Sequence, residues 1–251
     1  MTDIRELILY RNFENGKVLE DMTWIMEHFN QKECTEEVRD RFFSCMHELI
    51  ELAAQYGFKQ NLWQTYLTFL LVNNENSFST ACEIRGISDC SLLNLARHDF
   101  AIFRELFAYD FTDLERTLQA GFFEELLRYR REETSGKLFN HRIRDRICSL
   151  SKELAAADTL EGFTESMVEF YREFGVGTLG LHKAFRVAHD ESGVRIEPIT
   201  NIRHVNLEDL VGYEIAKQKL IDNTEAFVQG RRANNCLLFG DAGTGKSSSI
   251  K

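Results

Sequence analysis

Eight consecutive residues, Gly240-Asp241-Ala242-Gly243-Thr244-Gly245-Lys246-Ser247, carry the residue types that hold a polyphosphate, in the order G-x-x-x-x-G-K-[ST] of a P-loop. Glycines at Gly240, Gly243 and Gly245 let the main chain take positive φ and approach phosphate oxygens with no Cβ in the way. A helix starting near Gly245 or Lys246 would aim its unpaired N–H groups and the positive end of its dipole at the anion. Lys246 would reach the β- and γ-phosphates as a mobile point charge, the Ser247 hydroxyl would ligate Mg2+, and Ser248 could add a contact. Ser249 reads as part of a polar helix start. The ligands expected are a nucleotide and Mg2+.

Such a loop must be carried between a strand and a helix. The apolar run Cys236-Leu237-Leu238-Phe239 directly before the first glycine predicts a short strand buried on both faces. A P-loop binds phosphate but supplies neither a base nor a second metal ligand, and the sequence stops four residues after the motif, at Lys251. The expectation is a chain that holds the entrance to an NTPase without its catalytic remainder, so that Lys246 and Ser247 alone give essentially no turnover. Lacking parallel neighbours, the strand is expected to be the least stable element, prone to fraying or self-association.

The rest of the chain predicts helices. Val38, Phe42, Cys45, Leu49 and Leu52 recur at steps of three and four, and Leu92, Leu95, Ala96, Phe103 and Leu106 form a similar stripe. Thr112-Asp113-Leu114-Glu115 resembles a capping box, Asp158-Thr159-Leu160-Glu161 more loosely, and Asn76-Ser77-Phe78-Ser79 reads as a turn or helix start. The single proline, Pro198, is consistent with a mainly helical chain. Gly175-Val176-Gly177-Thr178-Leu179-Gly180 fits the dinucleotide pattern G-x-G-x-x-G, but the residues before it are helical where that pattern needs a strand. Gly175 is read as a helix C-cap instead. Beyond it, alternating Phe185, Val187 and Val194, Ile196 flank His189-Asp190-Glu191-Ser192-Gly193, which predicts a β-hairpin. His98 and Asp99 diverge by about 100° on a helix and cannot pair with each other, so a structural role is preferred to catalysis.

Charge and cysteines bound the partners. The net charge is −10; residues 201–251 hold seven Lys/Arg against six Asp/Glu, leaving 23 against 34, or −11, in residues 1–200. That acidic body disfavours generic binding to nucleic acid, and Arg142, Arg144 and Arg146 read as a solvated helix face. The six cysteines have no C-x-x-C pair and no zinc-ligand spacing, which suggests reduced core thiols. No secretory signal and no membrane span are read, so a cytoplasmic location is expected.

Upstream of the P-loop, Leu207-Glu208-Asp209-Leu210-Val211-Gly212-Tyr213-Glu214 leads into a helix bearing Ala216, Leu220 and Phe227. This preface resembles the opening of AAA+ ATPases, and the resemblance implies that Val211 and Gly212 line an adenine pocket. The stretches Asn76 to Glu83, Ser91 to Phe111, Tyr171 to Gly177 and Asp209 to Ser248 resemble, more closely, the uncharacterised bacterial AAA+ family called domain of unknown function 815, over nearly the whole chain. The resemblance implies ATP and Mg2+ as cofactors and a helical N-terminal region ahead of an ATPase domain. It implies a protein partner for the helices, or self-association through the AAA+ region.

The organisation expected is a mainly α chain: a helical N-terminal domain over 1–182, a β-hairpin and connector over 183–205, and the truncated start of an α/β P-loop NTPase domain over 206–251. The alternative is a nucleotide-independent helical interaction or oligomerisation module.

Overall fold

Apolar residues spaced three and four apart build the first of two compact units, residues 1–200; the second spans 201–251. The computed structural model describes residues 3–29, 35–85, 90–119, 121–130, 141–177, 185–190, 193–198, 207–241 and 243–250. In the first unit lie α1 (Lys17–His28), α2 (Glu36–Tyr56), α3 (Leu62–Asn73), α4 (Ser77–Arg85), α5 (Ser91–Phe107), α6 (Thr112–Leu118), α7 (Phe123–Leu127), α8 (His141–Ala156) and α9 (Leu160–Phe174), followed by strands β1 (Phe185–Asp190) and β2 (Gly193–Pro198).

α3 is the axis of the helical unit. Its residues are apolar nearly all round, so it buries every face by packing against α2, α5, α7 and α8. Two side-chain bonds fix it to the end of α5: Trp63 Nε1 donates to Leu106 O at 2.8 Å and Gln64 Nε2 to Phe107 O at 3.0 Å. The stripe expected on α2 is buried as a set. On α5 the buried face runs through Ala96, Asp99, Phe100, Phe103 and Leu106, and Leu95 lies off it, exposed. The wholly buried Asp99 displaced the reading, because a carboxylate does not register as a core position.

Asp99 and its neighbour hold the N-terminal segment. The Asp99 carboxylate accepts the backbone N–H of Ile8 at 2.9 Å, Leu9 at 2.7 Å and Tyr10 at 2.9 Å. A His98 ring nitrogen lies 3.0 Å from Glu6 O. Tyr10 then reaches Tyr171 on α9, hydroxyl to hydroxyl at 3.0 Å, while Tyr171 donates to Leu71 O at 2.7 Å. Since the one Tyr171 proton is committed to α3, Tyr10 is the donor in this pair.

Helix starts follow side-chain chemistry, with two shifts from expectation. Asn76 caps α4 reciprocally: its Oδ1 accepts from Phe78 and Ser79 N, and Ser79 Oγ accepts from Asn76 N. Thr159, rather than Asp158, caps α9 through Gly162 N at 3.1 Å. Thr112 is already the first residue of α6, and Asp110 takes its N–H at 2.9 Å. Gly175 ends α9 at φ 75°, its N–H bonded to Tyr171 O, as a C-cap should. Thr178, Leu179 and Gly180 of the dinucleotide pattern lie outside the described residues, and helix precedes the pattern.

The arginines of α8 are not the solvated face expected. Arg144 is buried and pairs with the exposed Asp145, and Arg146 lies 3.9 Å over the Phe174 ring, so these two guanidinium groups are held by protein partners; the Arg142 side chain lies outside the described residues. β1 and β2 form the expected antiparallel hairpin, in register from Phe185↔Pro198 to Asp190↔Gly193, with Glu191 and Ser192 outside the described residues. No described helix is long and apolar enough to cross a membrane.

Candidate phosphate-binding site

The second unit contains a 3-10 turn at Leu207–Asp209, then α10 (Glu214–Val228) and α11 (Lys246–Ile250). Between them runs the glycine loop, whose described glycines take the positive φ expected of them. Gly243 and Gly245 sit at φ 81° and 82°, in the left-handed region that costs a residue with a Cβ. A Cβ at Gly245 would also come 3.4 Å from Leu210 Cδ2. The loop and the preface therefore approach each other, Leu210 resting against Gly245.

Lys246 folds back over its own loop. Its ammonium donates to Gly240 O at 2.9 Å, to Asp241 O, and to Thr244 Oγ1 at 3.2 Å; Thr244 Oγ1 in turn donates to Asp241 O at 2.9 Å. Three oxygens of the loop thus hold the Lys246 ammonium against its own backbone. Ser249 Oγ bonds to Gly245 O at 3.0 Å, the back-bond of a serine in the first helical turn.

A cleft of about 650 Å3 lies between preface and loop. Val211, Gly212, Gly243, Thr244, Gly245 and Lys246 line it, together with apolar Leu210, Ala216, Leu220, Leu237, Leu238 and Phe239. Gly240, Asp241, Ser247 and Ser248 do not, and Ala242 lies outside the described residues. Ser249, read from sequence only as helix start, does line it.

One expectation fails here. Residues 236–239 form no strand, and Leu237 and Phe239 are exposed rather than buried. A strand exists only through a ladder, and the only sheet among the described residues is β1–β2. What steadies the segment instead is Asn223 of α10, whose amide accepts from Asn234 N at 2.9 Å, donates to Asn234 O at 2.8 Å and reaches Cys236 Sγ at 3.2 Å. Nothing of a parallel α/β sheet is seen among the described residues.

Sequence reading missed two further residues. Asn223 gives no signal, since asparagine in an exposed helix is unremarkable. Lys217 could have been found: it stands three residues after Glu214, an ion-pair spacing, and it does pair with Glu214 at 2.8 Å.

Residues 180–251 match the family model described as "Protein of unknown function (DUF815)". The DUF815 match takes in the hairpin, the preface and the glycine loop. The helical stretches 76–83, 91–111 and 171–177, which the resemblance also covered, lie outside it, so the likeness extends over less of the chain than expected. No curated protein and no solved structure matches the chain.

Proposed function

We propose that residues 207–251 bind ATP with Mg2+, the glycine loop taking the phosphates and the preface the base, in the manner of an AAA+ nucleotide site. The observation that carries this reading is the convergence of two left-handed glycines and the Lys246 ammonium on one cleft. Its opposite wall, with Val211, Ala216 and Leu220, is apolar and suits a purine ring.

The residues fit the group. Phosphate oxygens bind an ammonium more strongly than neutral carbonyls do, so the loop's own acceptors would yield Lys246 to them. Gly243 offers open space where a Cβ would stand. Ser247 does not line the cleft but stands exposed next to Lys246 at the start of α11, from where its hydroxyl would serve Mg2+, which when bound neutralises phosphate charge. The reading is of binding, and turnover is no part of it. Buried free thiols at Cys45, Cys82 and Cys148 suit a reducing, cytoplasmic setting.

The test is a thermal shift of the full chain in magnesium buffer. ATP at about 100 times its dissociation constant is expected to stabilise the nucleotide-binding unit by about 2.7 kcal/mol. Lys246→Ala is expected to abolish the shift; an unchanged shift in that variant overturns the phosphate role of the loop.

A further inference from the structure

Lys217 is unusual for a lysine on a surface helix. Its side chain is only 13% exposed, and it lines the cleft rather than pointing to solvent. Its ammonium donates to Leu210 O at 2.8 Å and pairs with Glu214 Oε1 at 2.8 Å. Leu210 in turn rests on Gly245 of the phosphate loop. A chain of contacts thus runs from Glu214 through Lys217 and Leu210 to the loop. Between Leu210 and α10 the backbone turns through two successive left-handed residues, Gly212 at φ 89° and Tyr213 at φ 58°. A non-glycine residue held there needs support from its surroundings, and the Lys217–Leu210 bond spans that turn.

We propose that Lys217 is a positioning residue for nucleotide binding: it clamps the Leu210 carbonyl, and so holds the base-side wall of the cleft at a fixed distance from the phosphate loop. The proposal rests on the reading of this cleft as a nucleotide site. It also specifies which half of the nucleotide Lys217 serves. Lys246 acts on the phosphates; Lys217 acts on whatever the Val211–Tyr213 segment touches, which is the nucleoside. The two lysines therefore differ in a way that an inorganic ligand can separate.

The experiment measures binding of Mg-ATP and of magnesium tripolyphosphate to the full chain by calorimetry, in wild type, Lys217→Met, Lys217→Arg and Leu210→Ala. Lys217→Met keeps the length of the side chain and removes the charged donor. It is expected to weaken ATP by about tenfold, the scale of one lost hydrogen bond from a charged group, and to change tripolyphosphate by less than about twofold. Lys217→Arg, which can still donate to the carbonyl and pair with Glu214, is expected to restore most of the ATP affinity. Leu210→Ala cuts the same chain of contacts at its far end and is expected to reproduce the split, which keeps the test open if Lys217→Met does not fold. Equal losses for both ligands, an unchanged ATP affinity in Lys217→Met, or failure of arginine to rescue would overturn the role of Lys217. A wild-type chain that binds neither ligand would overturn the nucleotide reading itself, and the proposal with it.

Discussion

Replacing Asp99 by asparagine alters one atom and should cost the helical unit about 1.5–3 kcal/mol. The magnitude follows from how the acceptors are shared. One carboxylate oxygen takes Ile8 N–H at 2.9 Å, and the other takes both Leu9 N–H at 2.7 Å and Tyr10 N–H at 2.9 Å. An amide has a single oxygen. Its best orientation sets that oxygen where two donors converge and turns its NH2 toward Ile8 N–H, donor facing donor. One hydrogen bond to a charged acceptor is lost, about 1.5–3 kcal/mol, and no further penalty is added because Ile8 is exposed and its N–H can turn to water. The damage should be local first. Tyr10 carries the only described hydroxyl link from the N-terminal segment to Tyr171, and through it to Leu71 of α3. Urea titration should show a lower midpoint with an unchanged slope, and amide exchange at Ile8, Leu9 and Tyr10 should lose protection before the core of α3 does. A loss under about 1 kcal/mol, or exchange at those amides no faster than in wild type, would refute the claim that the carboxylate anchors this segment.

The cysteines divide by burial, and reagents should see the division. Burial pushes the Cys45 and Cys82 thiols up to about 12 and raises Cys148 too, whereas Cys90 and Cys236 are exposed. In a Cys34→Ser background, a thiol reagent at pH 8 is expected to label Cys90 and Cys236 in the folded chain and the other three only in denaturant; fast labelling of Cys45 or Cys82 would count against their burial. The same shifts fix the sign of a pH effect: the unfolded chain releases these protons near 9 while the folded chain keeps them, so stability is full below pH 9 and falls toward pH 12. The raised phenols of Tyr10, Tyr66 and Tyr171 add a fall of the same sign above pH 10, so a Cys45→Ala, Cys82→Ala variant should lessen only the part that begins near pH 9.

What could be read in advance depended on how far each feature is local. A helix declares itself through spacing, because the residues that share a face are three and four apart in the chain. The α2 stripe, the start of α4 at Asn76 and the C-cap at Gly175 were legible for that reason. The structural role of Asp99 was legible, but not its partners, which were expected on a neighbouring helix. Its three donors come from residues about ninety positions away, and no local pattern announces them. The capping threonine of α9 was misplaced by one position, since two adjacent residues could each cap and only the backbone geometry decides between them.

The cleft separates the same two kinds of information within 45 residues. Glycine conformations at Gly243 and Gly245 are properties of single residues, and they appear as the motif requires. The strand at 236–239 is a collective property, and its residues remain apolar without becoming a strand. Leu237, Phe239 and Val211 are accordingly left largely exposed, Val211 at 95%. Exposed apolar side chains of this number are costly in water, and a ligand with a flat apolar face is one way to cover those that line the cleft. In the proposed reading, phosphate recognition would rest on the left-handed glycines, whereas base recognition would rest on a wall braced by the Lys217–Leu210 bond. That asymmetry predicts the order of loss on mutation: changes to the wall should spare inorganic polyphosphate, and changes to the glycine loop should spare nothing.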